Sequence, residues 1–420
     1  MGSLSNSEQN QIYKTKFYQF SEYPQSDSCW SLSTGPDGRI YAAVCNELSS
    51  GGSVQVARYN ENTDSIDYLF DVPEVVNDPV NSGRATQCKI HYSFVPSLED
   101  GILYCATHLS APPFDLEFYS PWRFWHNEKR CFRGSALIAY DTNKDIVLWV
   151  DTLIPKEGCR CLAFDDKRKI LYALSYPRDH FIVYSLKDKT CRDIGRVGSI
   201  NSQVIFLDSK GMVWFSNDYG HLIRYNPDRD ILEESPYILP HEPYQTGWHS
   251  VLYDAVRSPD GRCIYMITWN VAPRLIRFWP DEREFGYAED LGVITQKRNT
   301  AIPYSMFVDH AGGLVFDNDG QLYFVFSRWY DETEQLEPPG RQIKAEGVVL
   351  RLNPITLERE ENGVLKRPAA IAQYITRGAK DRNGDIFFGN VGKIPVGFFK
   401  MQMPNRNRDA GSFLPLRMWG

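Results

Sequence analysis

Two histidines and a tyrosine carry the chemistry this chain could do. His91, His108 and Tyr176 can each give or take a proton, and histidine does so near neutral pH. A repeat relates these residues to one another. Seven times, a turn with Gly or a charged pair leads into an apolar run bearing an aromatic residue. Examples are Asp37-Gly38-Arg39-Ile40-Tyr41, Asp100-Gly101-Ile102-Leu103-Tyr104 and Asp260-Gly261-Arg262-Cys263-Ile264-Tyr265; Lys167 to Tyr172 is a degenerate copy. Glycine suits such turns because it takes positive φ without penalty. With the copies in register, the residue four past each aromatic marker is Cys45, His108, Tyr176, Asp218, Trp269, Ser327 or Val391. Neighbouring repeats two and three thus place His108 and Tyr176 at one level. His91 lies at the start of the strand that pairs antiparallel with the one leading to His108, so it reaches the same end.

The elements that must position these residues follow from the spacing. Repeats of roughly 40 to 65 residues, with no sustained helical period, predict an all-β fold, a seven-bladed β-propeller of four-stranded blades. Residues 1–420 read as one domain, with blades near 30–75, 87–152, 160–198, 203–240, 249–293, 306–365 and 369–403. The last needs a partner strand, and the alternating N-terminal segment 16–20 is expected to close the ring.

Arginines on the outer strand of blade 3 could bind a carboxylate through the planar guanidinium fork. Rim geometry favours Arg196 over Arg192. Aromatic and basic residues of long connections are candidate substrate contacts: Trp125 in the aromatic-rich insertion 109–134, Tyr237, Trp248 and His249, with Lys89 beside His91. That insertion reads equally as a wall that stacks on sugar rings or as a small core over one blade. His310 and Arg377 read as scaffold or rim residues.

Three segments resemble seven-bladed propeller polysaccharide lyases, which include ulvan lyases and fungal lyases that split rhamnose from glucuronate. They are Cys88-Lys89-Ile90-His91, Gly101 to His108 and Leu171 to Pro177, supported by Arg192 to Val197. The resemblance implies β-elimination at a 4-linked uronate: the carboxylate is neutralised, the C5 proton leaves and the C4–O bond breaks. It implies that His91 and His108 match the family's two histidines and Tyr176 its tyrosine, with an arginine at the carboxylate. Spacing in the family favours Arg192, so both arginines stay open. Trp248-His249-Ser250 stands where a further arginine would be expected.

Composition bounds the alternatives. A net charge of −7 argues against nucleic acid or an anionic membrane as partner, and no apolar run is long enough for a membrane helix. Met1 to Gln11 is polar and shows no signal peptide, which fits a cytoplasmic protein or a secreted one already trimmed. The nine cysteines show no zinc spacing; one or two disulfides stay open. A monomer is expected. The elimination needs no cofactor, and whether a metal is present is left open: Asp residues and backbone carbonyls could hold a structural calcium ion in the channel. Two other readings stand beside the lyase: a non-catalytic propeller that binds glycan or protein, and a metal-dependent hydrolase or lactonase.

Overall fold

The computed structural model describes residues 13–47, 51–109, 124–198, 202–240, 251–269, 273–294, 311–329, 345–367, 370–371, 374–391 and 395–404. The chain is a seven-bladed β-propeller, and in all but the seventh sheet the strands run outward from the channel in chain order. The blades span Leu32–Asp71, Phe94–Pro155, Gly158–Arg196, Phe206–Ile238, Val251–Val293, Ala311–Ile371 and Tyr374–Gln402, and the sixth carries a fifth short strand, Ala370–Ile371. Lys14–Gln19 pairs antiparallel with Gly397–Gln402 and supplies the outermost strand of the seventh.

Local chemistry makes the turns. Asp208, Asp317 and Asp381 each accept two backbone N–H groups of their own turn through Oδ1, at 2.8 to 2.9 Å. Gly211, Gly320 and Gly384 adopt φ of 76° to 89° there. Adjacent turns are fastened together: Arg382 N–H donates to Gly38 O at 2.9 Å, and Lys169 bridges to Glu99 and Asp100.

The core is divided by the ring. Each of the seven gaps between neighbouring blades holds its own apolar cluster, for example Leu137, Ala139, Phe164 and Leu171 between blades 2 and 3. A blade is therefore covered on both faces, which explains why second strands such as Ile40–Cys45 are buried at every position.

Blade 2 departs from the expected strand. Its innermost strand is Phe94–Ser97, whereas Gln87–Lys89 forms a separate two-stranded ribbon with His108–Leu109. Tyr92 breaks the run by taking a left-handed conformation, φ 41°, so residues 90–93 swing from ribbon to blade.

Closure is testable at Gly397. A Cβ there would lie 1.9 Å from Tyr18 O and 3.0 Å from Gln19 Cα, both rigid backbone atoms of the closing strand. Gly397→Ala should lower stability by about 1–3 kcal/mol in chemical denaturation. Unchanged stability would show that the closing strand contributes nothing.

Candidate active site

The ribbon of residues 87–89 and 108–109 delivers the two histidines. Lys89 sits opposite His108 in the register, and the rings of His91 and His108 lie 6.0 Å apart. His108 then stacks on Tyr176, the last residue of the second strand of blade 3, at 4.9 Å and 29° between ring planes. Gly158 permits this contact. It pairs with Tyr176, and a Cβ on it would lie 2.9 Å from His108 Cγ and 3.1 Å from His108 Cα. Beneath the rim, Ala85, Leu109 and Phe132 form a small core against which Tyr176 packs, so at least this end of the aromatic insertion covers a blade.

An arginine absent from the expected set joins them. The innermost strand of blade 3 has an irregular register between Cys159 and Cys161: Cys159 pairs with Ser175 and Cys161 with Leu174, leaving Arg160 as the extra residue of a bulge. Cys159 packs between blades 2 and 3, while Cys161 packs between blades 3 and 4. Arg160 faces neither core. Its guanidinium lies 4.8 Å over the Tyr176 ring, its buried Nε has no hydrogen-bond partner, and it forms no ion pair among the described residues.

The histidines carry opposite tautomers, as assigned from their partners. His91 Nδ1 lies 2.7 Å from Arg160 O, a group that only accepts, so the proton is on Nδ1 and Nε2 keeps a lone pair. His108 Nδ1 accepts Leu109 N–H at 2.9 Å, closer than the 3.2 Å to Leu109 O, which puts the ring proton on Nε2. Burial drives the His91 pKa well below 6.5, and the charges of Lys89, Arg160 and Arg377 push the same way. His108 is lowered by burial, then by Lys89, His91 and Arg160. Both rings are neutral at pH 7. Burial raises the Tyr176 pKa against the pull of Arg160, so its hydroxyl is protonated.

Lys89 has a different place from the one expected. It is 2% exposed and ion-paired with Glu47, which also accepts the Trp30 indole N–H at 2.6 Å. Lys89 is thus a buried cation whose charge acts on both histidines. Arg192 and Arg196 lie on the outermost strand of blade 3, far from the channel. Arg192 is exposed and binds both Asp230 oxygens at 2.6 and 3.0 Å, and Arg196 donates to Gly198 O at 2.8 Å. An outer strand reaches the right rim at the wrong radius. Tyr237 is 56% exposed on the outer strand of blade 4. Trp125 lies at the rim beneath the guanidinium of Arg178, 5.3 Å from its ring, and Arg178 is held by the fully buried Glu157. Trp248, His249 and His310 lie outside the described residues.

All nine cysteines are free thiols, and only Cys191 is exposed. Among the described residues no cluster of three or more His, Cys, Asp or Glu is placed to hold a metal ion.

Known structures repeat the fold. The chain is similar to streptogramin B lyase (TM-score 0.57, 13% identity, covering 95% of this chain and 99% of that one). It is similar to virginiamycin B lyase from Staphylococcus aureus (TM-score 0.54, 11% identity, covering 93% and 99%). The extracellular domain of a hybrid two-component system from B. thetaiotaomicron matches at TM-score 0.58 and 13% identity; 94% of this chain aligns, but it spans only 40% of that protein's length. Likeness at such identity carries the propeller fold and nothing finer. No protein-family model and no curated relative matches the chain.

The neutral histidines have a measurable consequence. Between the lowered folded pKa and the ordinary value near 6.5, the unfolded chain binds protons that the folded one refuses. Stability should therefore fall as pH drops below about 6.5, and His108→Phe should flatten that decline. Nitrogen-15 spectra should show both rings neutral, in opposite tautomers, from about pH 7.5 to 5.5. A ring titrating near its ordinary value would contradict this environment.

Proposed function

We propose that the chain is a carbon–oxygen lyase that cleaves a 4-linked glucuronate, with rhamnose–glucuronate glycans the first substrates to test, by β-elimination. The observation that carries this reading is the convergence of a neutral histidine with an Nε2 lone pair, a protonated tyrosine and an arginine that forms no ion pair among the described residues. A C5–H beside a carboxylate is only weakly acidic. Removing it requires that the charge developing on the carboxylate be met by a cation or strong donors.

Arg160 suits that task through its planar fork, and the Nε2–H of His108 adds a donor. His91 Nε2 takes the C5 proton. The electron pair forms the C4–C5 double bond, the C4–O4 bond breaks, and Tyr176 gives its hydroxyl proton to the departing oxygen. Afterwards His91 holds an extra proton and Tyr176 lacks one, and transfer between them through solvent resets the site. The similarity in fold to two lyases is compatible with elimination and says nothing of the sugar.

Incubation with rhamnose–glucuronate side chains or ulvan should produce the ultraviolet absorbance of an unsaturated uronate. Tyr176→Phe should cost about 10²–10⁴ in kcat, and Arg160→Met about 10²–10³. Saturable binding of these glycans without any unsaturated product would identify a binding propeller instead.

A further inference from the structure

The inner strand of blade 3 is not alone in bulging at this level. Irregular register also occurs between Leu252 and Asp254 in blade 5, between Gly312 and Val315 in blade 6, and between Ile375 and Gly378 in blade 7. These irregularities bring together a polar knot against Tyr92, the residue after His91. Asp254 is 1% exposed. Its Oδ2 accepts Gly313 N–H at 2.9 Å and Leu314 N–H at 2.8 Å, and its Oδ1 accepts Ala255 N–H at 2.9 Å. The Arg377 guanidinium of blade 7 completes the set by an ion pair with Oδ1. One carboxylate thus joins blades 5, 6 and 7.

Arg377 is held there against Tyr92. Its guanidinium lies 4.1 Å over the Tyr92 ring, which also meets Tyr253 edge-on at 5.6 Å, while the Tyr92 hydroxyl donates to Thr376 O at 3.4 Å. Tyr92 is the residue that adopts φ 41°, a conformation an aromatic residue keeps only when its surroundings impose it. It follows His91 in the chain, and the two rings touch at 4.6 Å. Whatever holds the Tyr92 backbone in that turn sets the direction of the His91 ring.

We propose that Arg377, pinned by Asp254, is a positioning residue for His91 and acts through Tyr92. The proposal rests on the reading of His91 as the base. A positioning role differs from a substrate contact: Arg377 already has its carboxylate in Asp254, whereas Arg160 has none among the described residues. It differs from a plain structural tie because Arg377 is among the charges that act on His91. The others are Lys89, itself paired with Glu47, and Arg160; His108, Trp30 and Tyr92 complete the ring's surroundings. Removing the Arg377 charge should let His91 take up a proton more readily.

The test uses the full chain with Arg377→Met and Arg377→Lys, read by turnover and by the His91 ring-nitrogen resonances. Arg377→Met should lower kcat about ten- to hundred-fold, with KM changed less than about threefold. It should shift the His91 resonances and move the acid limb of kcat/KM to higher pH. Arg377→Lys should keep the acid limb in place without restoring full kcat, because an ammonium cannot lie flat on Tyr92. A folded Arg377→Met with wild-type kcat and His91 resonances overturns the proposal, as does a raised KM with unchanged kcat. Should Arg377→Met fail to fold, Arg377→Lys decides by the same two readouts. If the wild-type protein yields no unsaturated product from any uronate glycan, the lyase reading falls, and the His91 resonances of the variants still decide whether Arg377 positions that ring.

Discussion

Every blade of this ring is covered on both faces, and that constraint governs where chemistry can occur. Side chains along a strand alternate between two neighbours, and both neighbours are apolar. A polar side chain in mid-strand would be buried without water, at a cost of several kcal/mol unless hydrogen-bonded. Titratable groups in mid-strand, such as Arg58 on its Asp145 partner, are therefore paired, and the candidate site draws instead on strand ends, bulges and the short ribbon outside the blade sheets. The candidate site uses one of each: Tyr176 at a strand end, Arg160 on a bulge and His108 on the ribbon.

The charges beneath the site follow a related logic. Two cations near the site, buried Lys89 and half-buried Arg377, have anions of their own in Glu47 and Asp254. These pairs add little net charge, yet the charge of Lys89 acts against protonation of both histidines and that of Arg377 against protonation of His91. Burial alone raises the Asp254 pKa, opposed chiefly by Arg377, so each member of that pair depends on the other. Arg160 stands apart: it forms no ion pair among the described residues, and an aromatic face lies beside it.

Much of the fold was legible because it is written locally. Asp-Gly and Asn-Gly turns are short-range chemistry, and the aromatic marker that follows them recurs in each blade. His108 and Tyr176 stood out because their positions in the repeat are otherwise held by residues such as Cys45 and Val391, which end ordinary strands. Arg160 was hidden for a physical reason. Strict alternation would put Cys159 and Cys161 on one face, and the bulge that separates them into different interfaces leaves no trace in composition. A charged residue between two small apolar ones in an inner strand was the available signal. The outer-strand arginines misled because distance along the chain reports height along a blade but not radius from the channel. Lys89 looked like a ligand contact because its partner Glu47 belongs to blade 1, far away in sequence.

The closing strand has a consequence for synthesis. Gln19 waits for Gly397, and almost the entire chain separates them. At roughly 5–20 residues per second the ribosome needs some tens of seconds to make that partner. Throughout that interval an early strand has no mate, and the growing blades present a bare sheet edge to the cell. The histidines and Tyr176 belong with blades 2 and 3, which follow directly on blade 1 and can pack on each other while the seventh is still unmade. The candidate site can therefore take shape before the molecule has an inside and an outside.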